Sequence, residues 1–202
     1  MKRAMNVTTL GLGLVLAIAL PASAEDKKTE TLTPEQQAEM EAYARAATPG
    51  AEHAAMAESV GTYTLAIKSW YQPGGDPMIE SGTATRRMML GGRVMVEETT
   101  ATMMGQPFTG YGLRGYDNVT GKHWSTWNDS MSTGIMLSTG SCDAARACTF
   151  TGSWTDPVKK TLVSARMISR PGEAGGEIFE MYGNGPDGKE FKMMEITYTA
   201  QK

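Results

Sequence analysis

Residues 110–129 read GYGLRGYDNVTGKHWSTWND, and two incompatible folds compete for them. Gly110-x-Gly112-x-x-Gly115, with Asp129 further on, has the outline of a dinucleotide-binding fingerprint. That chemistry needs a strand before the first glycine and a helix opening at the last, so that backbone amides and the helix dipole meet the pyrophosphate. Here Gly115 runs into the turn-forming Tyr116-Asp117-Asn118, and no crossover helix carries the chain to Asp129. A phosphate loop fails as well. Gly115 and Gly121-Lys122 are one residue too far apart, and His123 stands where Ser or Thr would hold magnesium. The glycines are better read as strand positions where the sheet bends sharply or where a large aromatic on the next strand needs room.

The same texture extends on both sides. From Thr62 onward short runs rich in Thr, Val, Ile, Tyr, Trp and Met are cut by Gly, Pro, Asn or Asp. The pattern predicts ten strands, over 62–70, 80–90, 93–104, 108–117, 122–129, 134–141, 149–155, 158–169, 177–183 and 189–200. The links are turn chemistry, such as Gly91-Gly92, Gly105-Gln106-Pro107, Asp156-Pro157 and Asn184-Gly185-Pro186-Asp187-Gly188. Links this short join antiparallel neighbours, since parallel pairs need crossovers of about a dozen residues. A meander of ten strands leaves two edges, and closing on itself removes them. The expected fold is therefore all-β, an antiparallel up-and-down barrel with N-terminal helices near one mouth; a two-sheet sandwich is the alternative.

Before the strands, Thr33-Pro34-Glu35-Gln36 supplies an N-cap, a proline at the first helical position and an acid-amide first turn, so a helix is expected over 34–47. A second helical pattern carries His53, Met56, Ala57 and Val60, with Gly61 as its stop. At the N-terminus, Lys2 and Arg3 precede an apolar run from Leu10 to Leu20 and then Pro21-Ala-Ser-Ala24. This is the pattern of a secretory signal peptide cut after Ala24, with an apolar run shorter than the ~20 residues of a membrane span. The expected division is a signal over 1–24, a polar linker and helix over 25–48 and one barrel domain over 49–202. A periplasmic or secreted location follows.

Loss of residues 1–24 removes Lys2 and Arg3 and no acid, moving the formal charge from -3 to -5. That balance argues against nucleic-acid binding. Cys142 and Cys148 can close a short disulfide loop across a hairpin end in an oxidising compartment, and their spacing is not that of a redox Cys-x-x-Cys pair.

Along 122–129, period two places His123, Ser125, Trp127 and Asp129 on one face, a mixture able to orient a small ligand with an apolar body and a polar group. His123 and Asp129 stand roughly 20 Å apart on an extended strand, too far for a catalytic pair. Two isolated histidines, His53 and His123, fall short of a zinc site; a haem held by one of them stays open as an alternative. Methionine doublets at Met88-Met89, Met103-Met104 and Met193-Met194 can each give one sulfur to an interior, which suits an adaptable apolar lining better than a Cu(I) site. Adjacent charges at Arg86-Arg87 and Glu97-Glu98 must likewise split between the faces, so one member of each points inward. An inward Arg–Glu pair would receive a carboxylate or a polar head group.

Leu90-Gly-Gly-Arg93, Gly105-Gln-Pro-Phe-Thr-Gly-Tyr-Gly112, Gly115-Tyr-Asp-Asn118 with Gly121-Lys122, and Thr126-Trp-Asn-Asp-Ser130 with Ser132-Thr-Gly134 form an ordered set. Together with Val60-Gly-Thr-Tyr63, Asp187-Gly-Lys189 and Met194-Glu-Ile-Thr-Tyr198, the set resembles the bacterial domain of unknown function 1579. The resemblance covers about three quarters of the chain. It implies membership of the calycins, the lipocalin-like barrels, and no established activity. Neither histidine gains a haem-ligating role from it.

These readings converge on a barrel that binds a small hydrophobic or amphipathic molecule and needs no cofactor or metal. Trp70, Tyr111, Trp127, Met136 and Phe179 are the expected lining, with Arg93 and His123 as polar contacts. An enzyme, an isomerase or hydrolase on the same barrel using an inward carboxylate such as Glu98, is one alternative. A solid barrel whose N-terminal helix docks a partner is another.

Overall fold

The computed structural model describes residues 32–201, so the expected signal peptide lies outside the described residues. Two helices, α1 (Pro34–Ala47) and α2 (Ala51–Ala57), precede ten strands: β1 (Gly61–Ser69), β2 (Met78–Met89), β3 (Val94–Met103), β4 (Gln106–Asp117), β5 (Lys122–Asp129), β6 (Met136–Cys142), β7 (Cys148–Thr155), β8 (Leu162–Pro171), β9 (Glu177–Asn184) and β10 (Glu190–Ala200). Every strand pairs antiparallel with its sequence neighbours, and β1 pairs with β10, from Tyr63 opposite Ala200 to Ser69 opposite Met194. The sheet is a closed up-and-down barrel, as the turn spacing predicts.

Local chemistry sets the boundaries. Thr33 caps α1 by accepting from Gln36 N at 3.2 Å while the Gln36 side chain accepts from Thr33 N at 2.9 Å. β8 starts at Leu162 rather than 158 because Asp156 takes over the preceding segment. Its carboxylate accepts from Val158 N and Lys159 N at 2.9 and 2.7 Å, its carbonyl accepts from Lys160 N at 2.8 Å, and Lys160 turns left-handed at φ 56°. β6 starts at Met136 rather than 134 because Ser132 Oγ accepts from Gly134 N and Asn128 Nδ2 donates to Gly134 O, holding that residue in the loop. The β2–β3 link needs positive φ at Leu90, Gly91 and Gly92, at 50°, 62° and 87°; it fixes Arg86 opposite Glu97 and Arg87 opposite Val96, so that Arg87 reaches Glu98 diagonally on the other face.

The opening stretch is β4, a turn and β5, with Gly112 opposite Trp127 and Gly115 opposite Trp124. A Cβ on Gly110 would lie 2.3 Å from the Trp127 ring, and one on Gly115 would lie 2.3 Å from the Trp124 ring. Gly110 and Gly112 give the inward Trp127 a floor of bare backbone, and Gly115 does the same for Trp124 on the outer face. The glycines therefore make room for indoles rather than for phosphate.

The two ends of the barrel differ. α2 packs against β3 and β4 at the end where β4 finishes and β5 begins, burying His53 and Met56. Ser59 Oγ lies 3.2 Å from Met95 Sδ, and Tyr63 donates its hydroxyl hydrogen to Ser59 O at 2.8 Å, tying the segment after α2 to the strands. Helix α1 buries none of its residues, and Arg93 and Asn118 donate to the carbonyls at its C-terminal end. The apolar centre is Tyr63, Leu65, Ile67, Ala84 and Tyr198, where β1, β2 and β10 meet. Among the described residues no helix is long and apolar enough to cross a membrane.

Candidate binding cavity

The strands do not fill their own interior. A cavity of about 690 Å³ runs between them, within the size range of small-molecule sites. Its rim is built by Met131, Ser132, Gly134 and Ile135 of the β5–β6 loop and Pro157 of the β7–β8 loop, at the end opposite α2. Met103, Met136, Met181 and Met194 line the half nearer this rim, with Phe108, Trp127, Trp154 and Phe179 between them. Met95 and Met167 lie deeper. Long unbranched thioethers lose little by changing rotamer, so such a wall can adjust to molecules of different outline. Two of the three doublets each give one sulfur to the cavity, Met103 and Met194, with Met104 half exposed outside; neither Met88 nor Met89 lines it.

Trp127 carries its own positioning device. Its indole lies over Gly110 and Gly112, and its Nε1 donates to Asp129 Oδ2 at 3.0 Å. Asp129 Oδ1 in turn accepts from Met131 N at 2.9 Å, joining the ring to the rim loop.

Deeper in, a charged cluster crosses the barrel. Arg86 is 1% exposed, and its guanidinium sits 5.0 and 4.4 Å from the ring centres of Tyr63 and Tyr198. Its Nε donates to Glu97 Oε2 and its Nη1 to Glu177 Oε2, both at 2.6 Å. Glu97 Oε1 also accepts from Tyr198 and Thr99, and Glu177 Oε1 accepts from Ser169 at 2.7 Å. Arg114 completes the cluster, its Nη1 3.9 Å from Glu177 Oε2. Burial alone would push the Glu177 carboxyl up; Arg86, Arg114 and the Ser169 hydroxyl outweigh it and bring it to about 2. Glu97, Arg114, Ser169 and Tyr198 face the cavity, so this cluster is its polar wall.

Of the residues expected from sequence, Trp127, Met136 and Phe179 line the cavity. Four others do not. Arg93 lies in the β2–β3 turn and donates through Nε and Nη2 to Ala47 O at 3.0 and 2.6 Å, clamping the end of α1 with help from Asn118. Glu98 and Tyr111 point outward by strand parity, Glu98 pairing with Arg87 at 3.0 Å on the surface. Glu98 is therefore not the inward carboxylate; its neighbour Glu97 is. Trp70 follows the last residue of β1 and stands near the Lys192 ammonium, 5.9 Å from its ring.

His123 points inward but belongs to the closed end. It is 6% exposed, its ring 4.9 Å from Tyr116 and 6.3 Å from Phe150, and its Nε2 lies 3.3 Å from Glu52 of α2. Burial lowers its pKa more than Glu52 raises it. His53 uses Nδ1 to accept from Gly50 N at 3.1 Å. Neither histidine lines the cavity, so a haem there would find no imidazole for its iron. Cys142 and Cys148, paired across the β6–β7 hairpin, form the disulfide expected from their spacing.

Sequence reasoning did not single out Tyr198, Glu177, Ser169 or Trp154. The first three come together only through barrel closure, and nothing local announces them. A search of curated proteins finds no match to the chain. Residues 48–200, which take in α2 and all ten strands, match the family described as Protein of unknown function (DUF1579), and the chain belongs to that family.

Proposed function

We propose that this protein is a lipocalin-like carrier, exported to the periplasm or beyond, that holds a small, mainly apolar molecule inside its barrel. The observation that carries the reading is the cavity of about 690 Å³, walled by methionines and aromatic rings and floored by a charge cluster. An interior that served only as core would be packed to near-crystalline density. Trp127, Met136 and Phe179 are the expected contacts for the apolar body, and the rim at Met131 and Ile135 is the expected way in. The signal-peptide pattern read in the sequence of residues 1–24 supports a location where such a carrier would meet its ligand.

The chain purified from its own host, examined by native mass spectrometry and by solvent extraction of the same sample, should yield a bound species of a few hundred daltons. Narrowing the rim with Ile135→Trp should reduce its occupancy. Repeated recovery of empty protein that also fails to take up a neutral apolar dye would overturn the proposal.

A further inference from the structure

The polar wall has a lopsided hydrogen-bond inventory. Its charges balance, two arginines against Glu97 and Glu177, but its donors and acceptors do not. All four carboxylate oxygens already accept: Glu97 Oε1 from Tyr198 and Thr99, Glu97 Oε2 from Arg86, Glu177 Oε1 from Ser169 and Glu177 Oε2 from Arg86. The surplus is on the donor side. Arg86 Nη2 is buried without a partner. The Arg114 guanidinium, with five N–H groups, makes no hydrogen bond among the described residues; its one ionic contact, at 3.9 Å, is to an oxygen that Arg86 holds at 2.6 Å.

Arg114 is also the accessible member of the cluster. Its side chain is 26% exposed against 0% for Arg86, and it stands on the cavity side of β4, opposite Ser125, whose hydroxyl is at the same level. Along β4 the inward positions run Phe108, Gly110, Gly112, Arg114. Six residues of strand tilted as in a barrel put the guanidinium roughly 15 Å below the rim. A molecule reaching it must first pass the apolar wall.

From this geometry we infer that the ligand is an amphipathic carboxylate, its tail lying against the methionines and Trp127 and its head group received by Arg114, with Ser125 beside it. The inference rests on the carrier reading and adds the chemical class. A carboxylate has acceptors only, and a planar guanidinium fork meets it through two parallel N–H···O bonds. An alcohol or amine head would bring donors to a wall whose carboxylate oxygens are each already engaged and whose surplus is in donors, and an ester would accept without the ionic contribution. Glu177 need not move, since Arg86 and Ser169 hold it.

The test uses three probes with one tail, decanoate, methyl decanoate and decanol, displacing the neutral dye N-phenyl-1-naphthylamine from the intact protein at neutral pH. Decanoate should bind roughly tenfold more tightly than the ester or the alcohol, and raised salt should narrow the gap. Arg114→Gln should bring decanoate down to the level of the ester, whose own affinity stays the same. Equal affinities for acid and ester on the unaltered protein, a comparison that needs no variant to fold, would overturn the inference and leave the carrier reading standing. So would an acid preference that survives Arg114→Gln. Failure of the dye and all three probes to bind would sink both.

Discussion

Replacing Arg86 by methionine removes the cation at the centre of the charge cluster while keeping an apolar stem between Tyr63 and Tyr198. The two 2.6 Å bonds to Glu97 and Glu177 go with it, leaving two buried carboxylates with fewer partners. Breaking a buried ion pair from one side costs about 3–5 kcal/mol. The Glu177 shift gives a similar scale: from 4.5 to about 2 corresponds to about 3 kcal/mol of stabilisation at neutral pH, shared among Arg86, Arg114 and Ser169. In a chain of this size the melting temperature should fall by roughly 10 °C or more. The pH dependence separates this cause from simple loss of packing. In the unaltered protein the folded pKa of Glu177 is depressed, so its contribution is full above 4.5 and fades as pH falls towards 2. With Arg86 gone, the largest influence holding the carboxyl down is lost and its folded pKa rises, so the stability it contributes at neutral pH shrinks, and the loss disappears once the group is protonated in both proteins. Urea unfolding followed by tryptophan emission should show a gap that is widest at pH 7 and narrows steadily below pH 4.5. A gap under about 1 kcal/mol at pH 7, or one that does not change with pH, would refute the reasoning.

Three further outcomes follow from other parts of the barrel. Gly110→Ala drives a Cβ into the Trp127 ring and should cost about 1–3 kcal/mol with an altered tryptophan emission; Trp127→Phe should recover part of the loss, and additive losses would count against the contact. Replacing both Cys142 and Cys148 by serine frees a short loop and should lower stability by about 2 kcal/mol in denaturant titrations, with the denaturant dependence little changed. His123 has a depressed folded pKa, so its contribution is intact above pH 6.5 and declines as the unfolded chain takes up a proton below that; His123→Gln should flatten the melting-temperature profile between pH 7 and 5.

Much of the architecture is legible in the sequence because turn chemistry and side-chain alternation are local. Asp117 to Gly121 announces a turn, and the glycines of β4 announce the indoles of β5 across one register. The interior is harder to read. At Arg86-Arg87 and Glu97-Glu98 the split between faces follows from parity, but the choice of face does not, because each face of the same hairpin carries one Arg–Glu ion pair. A clue exists in β2, where Arg86 alternates with Gly82, Ala84 and Met88 while Arg87 alternates with Thr83 and Thr85. A parity argument that weighed whole faces would have favoured Glu97 over Glu98. Tyr198 and Glu177 lie on β10 and β9, which come near Arg86 only when β10 closes onto β1. Arg93 misled because a turn arginine beside two glycines has a surface partner, the α1 terminus, that strand periodicity does not see.

The pairing of β1 with β10 also orders events during synthesis. A chain made from its N-terminus presents Gly61–Ser69 early and obtains its second partner, Glu190–Ala200, only when nearly everything else has emerged. Until then the first hairpin carries a row of unsatisfied amides and carbonyls that any passing strand could capture, and the long loop that must close makes the final step slow. A nascent chain stalled before residue 190 would hold two raw edges rather than none, so its completion, more than its composition, decides whether it ends as a soluble cup or as the seed of an aggregate.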